Sequence, residues 1–448
     1  MAILKLWKRS LMTIALAAPL LVASGAQALQ SDEDDPATTL KLGAHMARIN
    51  SGADGSGGVL GSKTSGPVLG IDTLPNWSSY FYFPGLAVSG NFAYPQWTWQ
   101  YSMVGRSPVG THDHGDDDDG MVTRIRAPIV PVIIDLRDYD GSPRYYPAAD
   151  GTPVRMILDP TNDIQPVLAS PIFAPASYSS SRRPTQYTDA VQKAEFYNTA
   201  GGGWHTLLVP VVTAPRTIVL IRGTYRFRAD PVTGKVRYVT VDENVFGAAL
   251  FPATPDDTST VMGAVEHSGE VLPTDLATFL FDNVFLYSNG NPADCCIIGY
   301  HSYDAEPGSA ANGWRERHFV MNYSSWISPG IFRGGFSDVT ALSHELAETF
   351  NDPFTTNATP IWVAPFGLCQ NNLEVGDVIE GLANATYPMT MNGMTYHPQN
   401  VALVPWFAGI QNSGAINGAY SYPDTTVLTT PAVSTNTDCA TPFTIAKH

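Results

Sequence analysis

Residues 337–353 read SDVTALSHELAETFNDP and predict an amphipathic helix over 337–352. Ser337 can cap its start, and Pro353 ends it because the residue before a proline is pushed out of the α region. At about 100° per residue, His344, Glu348 and the other acids fall on one side of the helix. The apolar residues fall on the opposite side, and they are Val339, Leu342, Leu346 and Phe350. One face should therefore pack on a core, while the other carries the ionisable groups.

The polar face has the spacing of a metal site. His344 and Glu348 stand at positions i and i+4, so an imidazole nitrogen and a carboxylate oxygen can reach one ion. Glu345 lies beside them, where a carboxylate can take a proton from an attacking water. The alternative is a solvated acidic face. Residues 337–353 contain no Lys or Arg, so the acids repel one another, and a bound cation would reverse that repulsion.

A zinc site needs a third protein ligand, with water in the fourth position. Glu374 and Asp377 lie 26 and 29 residues beyond Glu348, and either can complete the set. His301, at the end of an apolar strand, is a ligand, a hydrogen-bond donor or, most commonly for such a residue, a satisfied core histidine. An oxygen-rich set suits Ca²⁺ as well as Zn²⁺, and a structural Ca²⁺ site would leave Glu345 without a catalytic role.

The pentad His344-Glu345-Leu346-Ala347-Glu348 resembles the H-E-x-x-H helix of zincin metallopeptidases, in the variant where glutamate replaces the second histidine. The chain departs from the zincin pattern in lacking a third-ligand motif and a Met-turn. A fainter similarity, through residues 299–302, the helix ending and residues 374–377, is to secreted bacterial proteins and to plant phosphate-induced (EXORDIUM-like) proteins. The first resemblance implies a zinc peptidase in which Glu345 activates water. The second implies an extracellular protein without catalysis.

The N-terminal residues predict an exported protein. Basic residues precede an apolar run at 11–22, and Ala26-Gln27-Ala28 is a cleavage signal, so residues 1–28 predict a signal peptide. The run is too short for a membrane span, and no later stretch reaches the required ~20 apolar residues. Residues 29–70 are acidic and Gly/Ser-rich and predict a flexible leader. We expect a soluble protein in the periplasm or outside the cell, with a C-terminal tail at 431–448.

Strand patterns outnumber helical ones between residues 71 and 430, which predicts a β-rich α+β domain with a mixed or antiparallel sheet. One further helix is predicted at 189–198, opened by Asp189 and Gln192 in capping-box register. Strands are predicted at 129–136, 206–212, 217–221, 279–287, 295–300 and 318–323, with a hairpin formed by 225–228 and 236–241. Neither a Walker loop nor a G-x-S-x-G elbow appears, which disfavours nucleotide chemistry and the common serine hydrolases.

Two further stretches could contact ligands. The aromatic residues between 77 and 103 are typical of half-buried strands, although they could also stack on extracellular glycan. The loop at 111–120 reads THDHGDDDDG, which is either a solvated acidic loop or a site for Ca²⁺ or a transition metal. The net charge of −16 disfavours nucleic acid and anionic membranes as partners.

The four cysteines, in an oxidising compartment, predict disulfide bonds. Cys295 and Cys296 are neighbours, and a direct bridge would strain the backbone, so we expect one of them, or Cys369, to pair with Cys439. Taken together, the sequence predicts a secreted zinc metallopeptidase acting on a peptide or protein. The alternative is a non-catalytic extracellular binding protein with a structural Ca²⁺ site or none.

Overall fold

The computed structural model describes Leu40 and residues 70–84, 88–89, 92–93, 96–109 and 121–432. The strands in this part of the chain are β1 (Ile71–Asp72), β2 (Asn76–Pro84), β3 (Val88–Ser89), β4 (Phe92–Ala93), β5 (Gln96–Val104), β6 (Val122–Arg137), β7 (Tyr145–Pro147), β8 (Pro153–Arg155), β9 (Ile157–Leu158), β10 (His205–Val212), β11 (Arg216–Ile221), β12 (Tyr225–Ala229), β13 (Val236–Asp242), β14 (Leu276–Asp282), β15 (Val284–Tyr287), β16 (Cys295–Ile297), β17 (Gly299–Glu306), β18 (Glu316–Trp326), β19 (Ala358–Val363), β20 (Cys369–Asn372), β21 (Met389–Met391), β22 (Met394–Tyr396), β23 (Val401–Ala402) and β24 (Ser421–Tyr422).

The helices are short by comparison. They are α1 (Ile164–Ala169), α2 (Tyr187–Glu195), α3 (Glu243–Leu250), α4 (Val261–His267), α5 (Thr340–Asn351) and α6 (Val404–Phe407), with 3₁₀ turns at Pro160–Asn162, Pro292–Asp294, Ala310–Asn312 and Ile416–Gly418. Within the described residues, every helix falls short of the length and apolarity needed to cross a bilayer.

The largest sheet has the strand order β1-β18-β14-β6-β10, with β9 and β11 also paired to β6 and β17 paired to β18. Its main pairs are parallel, while β17 runs antiparallel to β18 and β9 antiparallel to β6. The sheet is therefore mixed, and the α+β prediction is confirmed. Parallel strands covered on both faces are continuously apolar, and β14, with the sequence LATFLFD, is an example.

Two hydrophobic cores lie on the two faces of this sheet. Leu276 and Leu280 of β14 belong to one core, and Phe279 and Phe281 to the other. The first core contains α2 and α5, and α5 packs against β17 and β18. The second contains α3, α4 and a smaller sheet of order β12-β13-β15-β16. Strand β17 alternates in the same way, so Tyr300 enters the second core and its neighbour His301 is turned towards α5.

The helix that decides the fold begins later than predicted. It spans Thr340–Asn351, and Ser337 does not cap it. Instead the Ser337 hydroxyl lies 2.9 Å from His397 Nδ1, and Asp338 accepts the His397 backbone N–H at 2.8 Å. The capping prediction is wrong because these groups bind the loop after β22. The predicted end before Pro353 is confirmed, since Asp352 is the C-terminal cap.

The second predicted helix is also present with shifted bounds, at Tyr187–Glu195. Its predicted capping box is wrong. The Asp189 carboxylate accepts from Thr185 Oγ1 and from the Thr206 backbone N–H, and Gln192 donates to the Val104 carbonyl oxygen at 3.0 Å. Both side chains are drawn into tertiary contacts that a local pattern does not contain.

The predicted strand at 279–287 is in fact two strands in different sheets. Asn283, with φ of 52°, separates β14 from β15. The predicted hairpin is confirmed as β12 and β13, which pair antiparallel.

The cysteine prediction is wrong in one part: Cys295 and Cys296 bond to each other. Cys369 is also disulfide-bonded. Cys439, which was predicted to form one end of a disulfide, lies outside the described residues, as do the signal peptide and the loop at 111–120.

Leu40 is the one described residue of the predicted leader before Gly70. Its backbone N–H donates to the Ile331 carbonyl oxygen at 2.8 Å, and its side chain is buried. The rest of that leader, up to residue 69, and the tail beyond residue 432 lie outside the described part of the chain.

Candidate metal centre

The polar face of α5 points into the protein. Every residue from Thr340 to Asn351 is buried, which excludes the solvated acidic face considered from the sequence. His344 Nε2 lies 3.1 Å from Glu348 Oε2, one turn further along the helix. The predicted pairing of these two side chains is therefore present, in an interior where unpaired charge is costly.

A glutamine orients the imidazole of His344. Gln399 donates its side-chain Nε2–H to the Gly376 carbonyl oxygen at 2.7 Å, so its Oε1 is left as an acceptor 3.0 Å from His344 Nδ1. The Nδ1 atom must then carry a proton, so Nε2 is the ring nitrogen that can lose its proton and bind a cation. A hydrogen bond of this kind from the distal ring nitrogen is usual for a metal-binding histidine.

Glu348 and Asp377 are held through one oxygen each. Glu348 Oε1 accepts the backbone N–H groups of Gly376 at 3.0 Å and Asp377 at 3.3 Å. Asp377 Oδ2 accepts from Gln370 Nε2, while Asp377 Oδ1 lies 3.4 Å from His344 Nε2 and has no hydrogen-bond partner. Residues 376–377 reach the helix because they follow the hairpin of β19 and β20. The second oxygens of Glu348 and Asp377 both face the imidazole of His344.

These distances suit a single ion. Two ligands bound tetrahedrally at about 2.0–2.1 Å lie roughly 3.3–3.4 Å apart. The spacings of His344 Nε2 to Glu348 Oε2 and to Asp377 Oδ1, 3.1 and 3.4 Å, match that value. The three side chains form a group that could hold a metal ion.

His301 extends from β17 towards the same acids. We call this buried cluster of imidazoles and carboxylates around His344 the chamber. Its Nδ1 lies 3.4 Å from Glu348 Oε2, 3.7 Å from Glu345 Oε2 and 3.9 Å from Glu374 Oε2. It is 1% exposed, and neither ring nitrogen has a hydrogen-bond partner. The interpretation of His301 as a satisfied core histidine is therefore wrong, and His301, Glu345 and Glu348 form a second group that could hold an ion.

Glu345 lies between the two imidazoles. Its Oε1 is 3.9 Å from His344 Nε2 and has no hydrogen-bond partner, and its Oε2 faces His301. Gly299 makes room for it, because a Cβ atom at that position would lie 2.6 Å from Glu345 Oε1. Strand β17 can approach the helix this closely only where it has no side chain.

The remaining acids differ in their roles. Glu374 accepts a hydrogen bond from Asn372 Nδ2 through Oε1. Asp352 accepts the backbone N–H groups of Thr356 and Asn357, which makes it part of the turn after the helix. Glu380 is buried with an unpartnered Oε2, and its pKa is raised by burial and by the neighbouring charge of Asp377.

Protonation in the chamber reflects the competition between burial and charge. Burial raises the pKa of Glu345 to about 7. Burial would also raise the pKa of Glu348, but the two imidazoles outweigh it and hold that pKa below its usual range. Burial lowers the pKa of His344, yet Glu348 and Glu345 outweigh it and raise that pKa well above the ordinary value. Without a cation, protons on the imidazoles balance part of the negative charge.

The structure thus brings together all of the predicted site residues: Glu345, His344, Glu348, Asp377 and Glu374. The sequence analysis missed Gln399, which reaches the chamber from a loop 55 residues beyond His344 and carried no signal. It also missed Glu380, which lies only three residues beyond the predicted ligand Asp377. The aromatic stretch proposed for glycan contact lies largely outside the described side chains.

The fold and site together define an α+β protein with a buried cluster of histidines and carboxylates that could hold a metal ion. Comparison of the chain with protein-family models, with curated proteins and with solved structures finds no match.

Proposed function

We propose that the protein is a secreted, metal-dependent hydrolase, with Zn²⁺ held by His344, Glu348 and Asp377. One observation carries the proposal: Glu345 Oε1 is buried without a partner, 3.9 Å from the ligand nitrogen of His344. A hydrolytic site needs a proton acceptor in that position, and a buried oxygen without a hydrogen-bond partner can serve as one. A bound zinc ion supplies Lewis-acid polarisation and a more acidic water.

The protein's own residues then have distinct tasks. Glu345 takes the proton from the attacking water and returns it to the leaving group. Its Oε1 is buried without a hydrogen-bond partner and can accept that proton. Gln399 keeps the proton of His344 on Nδ1, and the N–H groups of Gly376 and Asp377 hold Glu348 in place.

A peptide or protein is the proposed substrate because of the resemblance to the zincin helix. The predicted signal peptide supports a location in the periplasm or outside the cell. The formal charge of −16 argues against a polyanionic substrate.

A structural cation site is the second candidate, and burial is the observation that favours it. His344, Glu345, Glu348 and Asp377 are only 1–3% exposed. A hard cation such as Ca²⁺ in a closed shell of oxygens would fit that burial and would leave Glu345 as a ligand.

Glu345→Gln tests the two candidates. We expect the variant to keep the ion held by His344, Glu348 and Asp377 and to hydrolyse a quenched fluorescent peptide library about 10²–10⁴-fold more slowly than the wild type. The matched control is Glu195→Gln, a buried glutamate on the neighbouring helix α2, which should hydrolyse at the wild-type rate. An unchanged rate in Glu345→Gln would refute the assigned role, and a metal-loaded wild type without activity would support the structural site.

A further inference from the structure

His301 is the least satisfied polar side chain of the chamber. A neutral imidazole has one N–H donor and one acceptor nitrogen, and both are buried here without a hydrogen-bond partner among the described residues. Leaving a buried polar group unpaired is costly. The proposed zinc ligands do not include His301, so the mononuclear site leaves this cost unexplained.

We propose that a second divalent cation binds between His301, Glu345 and Glu348, so that the chamber is a two-metal centre bridged by Glu348 Oε2. This inference rests on the proposed function, because the first ion at His344 and Asp377 is part of it. His301 Nδ1 lies 3.4 Å from Glu348 Oε2 and 3.7 Å from Glu345 Oε2. Ligands bound at about 2.0–2.2 Å have spacings of this order.

Glu348 is placed to bridge. Its Oε1 is occupied by two backbone N–H groups, so the carboxylate cannot turn away from the chamber. Its Oε2 lies 3.1 Å from His344 Nε2 and 3.4 Å from His301 Nδ1, which belong to the two separate ligand groups. An oxygen shared in this way is compatible with the separation of about 3.5–4 Å found in two-metal sites.

The chamber holds several buried carboxylates, whose oxygens are ligands that divalent cations prefer. Its buried acids are Glu345, Glu348, Asp352, Glu374, Asp377 and Glu380. The ion pairs of Glu345, Glu348 and Asp377 within the described residues all run to histidine. Each divalent ion bound there would compensate two negative charges of these carboxylates in a medium where uncompensated charge is costly.

The second ion adds to the proposed chemistry without displacing the base. It would take Glu345 through Oε2, which faces His301, and leave Oε1 on the side of His344. A second Lewis acid beside the first can hold the substrate oxygen on which negative charge develops.

Counting metal in the full mature chain tests the inference. The wild type, His301→Ala, His344→Ala and the double variant are stripped with a chelator, reloaded with Zn²⁺ alone, freed of excess ion and analysed for zinc. We expect about two ions in the wild type, about one in each single variant and none in the double variant. His301→Gln, which keeps a polar side chain, replaces His301→Ala if that variant fails to fold.

The outcomes separate this inference from the proposed function. One ion in the wild type, retained in His301→Ala and lost in His344→Ala, would overturn the second site and leave the hydrolase proposal standing. No ion in the wild type would overturn both.

A measurement on the unmodified protein gives an independent check. Mn²⁺ added to the chelator-treated wild type should give an exchange-coupled paramagnetic resonance spectrum, because two ions would share Glu348 Oε2. His301→Gln should give the spectrum of isolated Mn²⁺. An uncoupled spectrum in the wild type at saturating Mn²⁺ would contradict the bridge.

Discussion

Asp189 of α2 and the acids of α5 lie in the same core and are buried in opposite ways. Every residue of each helix is buried. In α2, Asp189 accepts hydrogen bonds from Thr185 Oγ1 at 2.6 Å and the Thr206 N–H at 2.7 Å, and it lies 2.8 Å from His205 Nδ1. Its partners are all supplied by the protein.

In and around α5, several polar atoms have no hydrogen-bond partner among the described residues. Backbone and amide donors hold one oxygen of Glu348 and of Asp377, but Asp377 Oδ1, Glu345 Oε1 and both nitrogens of His301 have none. Buried carboxylates alone therefore do not distinguish a metal centre from a structural network. The distinction lies in unpartnered ligand atoms that converge within a few ångströms of one another.

Replacing Glu348 of α5 and Asp189 of α2 should give the largest difference between the two helices. Glu348→Gln removes the shared ligand, so we expect metal content to fall and chelator to lose its effect on unfolding. For the wild type, a free ion at a thousand times its dissociation constant stabilises the fold by about 4 kcal/mol. Asp189→Asn should cost about 1–3 kcal/mol through its weakened hydrogen bonds and should leave metal content unchanged.

Metal analysis together with urea unfolding, each with and without chelator, measures both effects. Equal chelator sensitivity in Glu348→Gln and the wild type would remove the distinction drawn between the two helices.

A second contrast concerns Glu195 of α2, whose buried carboxyl is neutralised by a proton rather than by a cation. Burial raises the pKa of Glu195 to about 8, although the Val404 N–H donates to it. Between its ordinary pKa of 4.5 and pH 8, the folded state keeps a proton that the unfolded state has lost. This contribution to stability is complete below pH 4.5 and is lost as pH rises through 8. Glu195→Gln should therefore be more stable than the wild type at pH 8.

The pH dependence is the control for this prediction. At pH 5 the protonated glutamic acid and glutamine are nearly equivalent, so the difference in unfolding free energy should shrink. A constant difference between pH 5 and pH 8 would show that Glu195 does not carry the proton in the fold.

The features of the site that could be predicted from the sequence are local ones. The i and i+4 spacing of His344 and Glu348 follows from helix geometry, and the position of Glu345 beside them follows as well. Pro353 ends the helix for a reason that needs no tertiary structure. Asp377 and Glu374 were candidates because a short return segment follows the helix.

The features that could not be predicted depend on pairing at long range. His301 reaches the chamber because β17 lies antiparallel to β18, with His301 opposite Asn322. Gln399 reaches His344 from a loop 55 residues further along the chain. Helix α5 begins later than predicted because of another long-range contact, in which His397 binds Ser337 and Asp338.

The smallest predicted effect concerns the turn that supports the centre. A Cβ atom on Gly376 would lie 2.5 Å from His344 Nδ1, closer than real Cβ contacts allow, so Gly376→Ala must shift the imidazole or the turn. That shift would disturb the bond to Gln399 and the N–H that Gly376 donates to Glu348. Loss of such support commonly weakens metal affinity 10–100-fold, which a competitive zinc titration measures.

Gly247 of α3 provides the matched control, because a Cβ atom there would meet nothing within 4 Å. Gly247→Ala should leave zinc affinity unchanged and stabilise the helix by about 0.5–1 kcal/mol. If both glycine variants bind zinc as the wild type does, the imidazole of His344 does not depend on this turn. The support of the centre would then come from Gln399 and the helix alone, and the closeness of Gly376 would be a matter of packing.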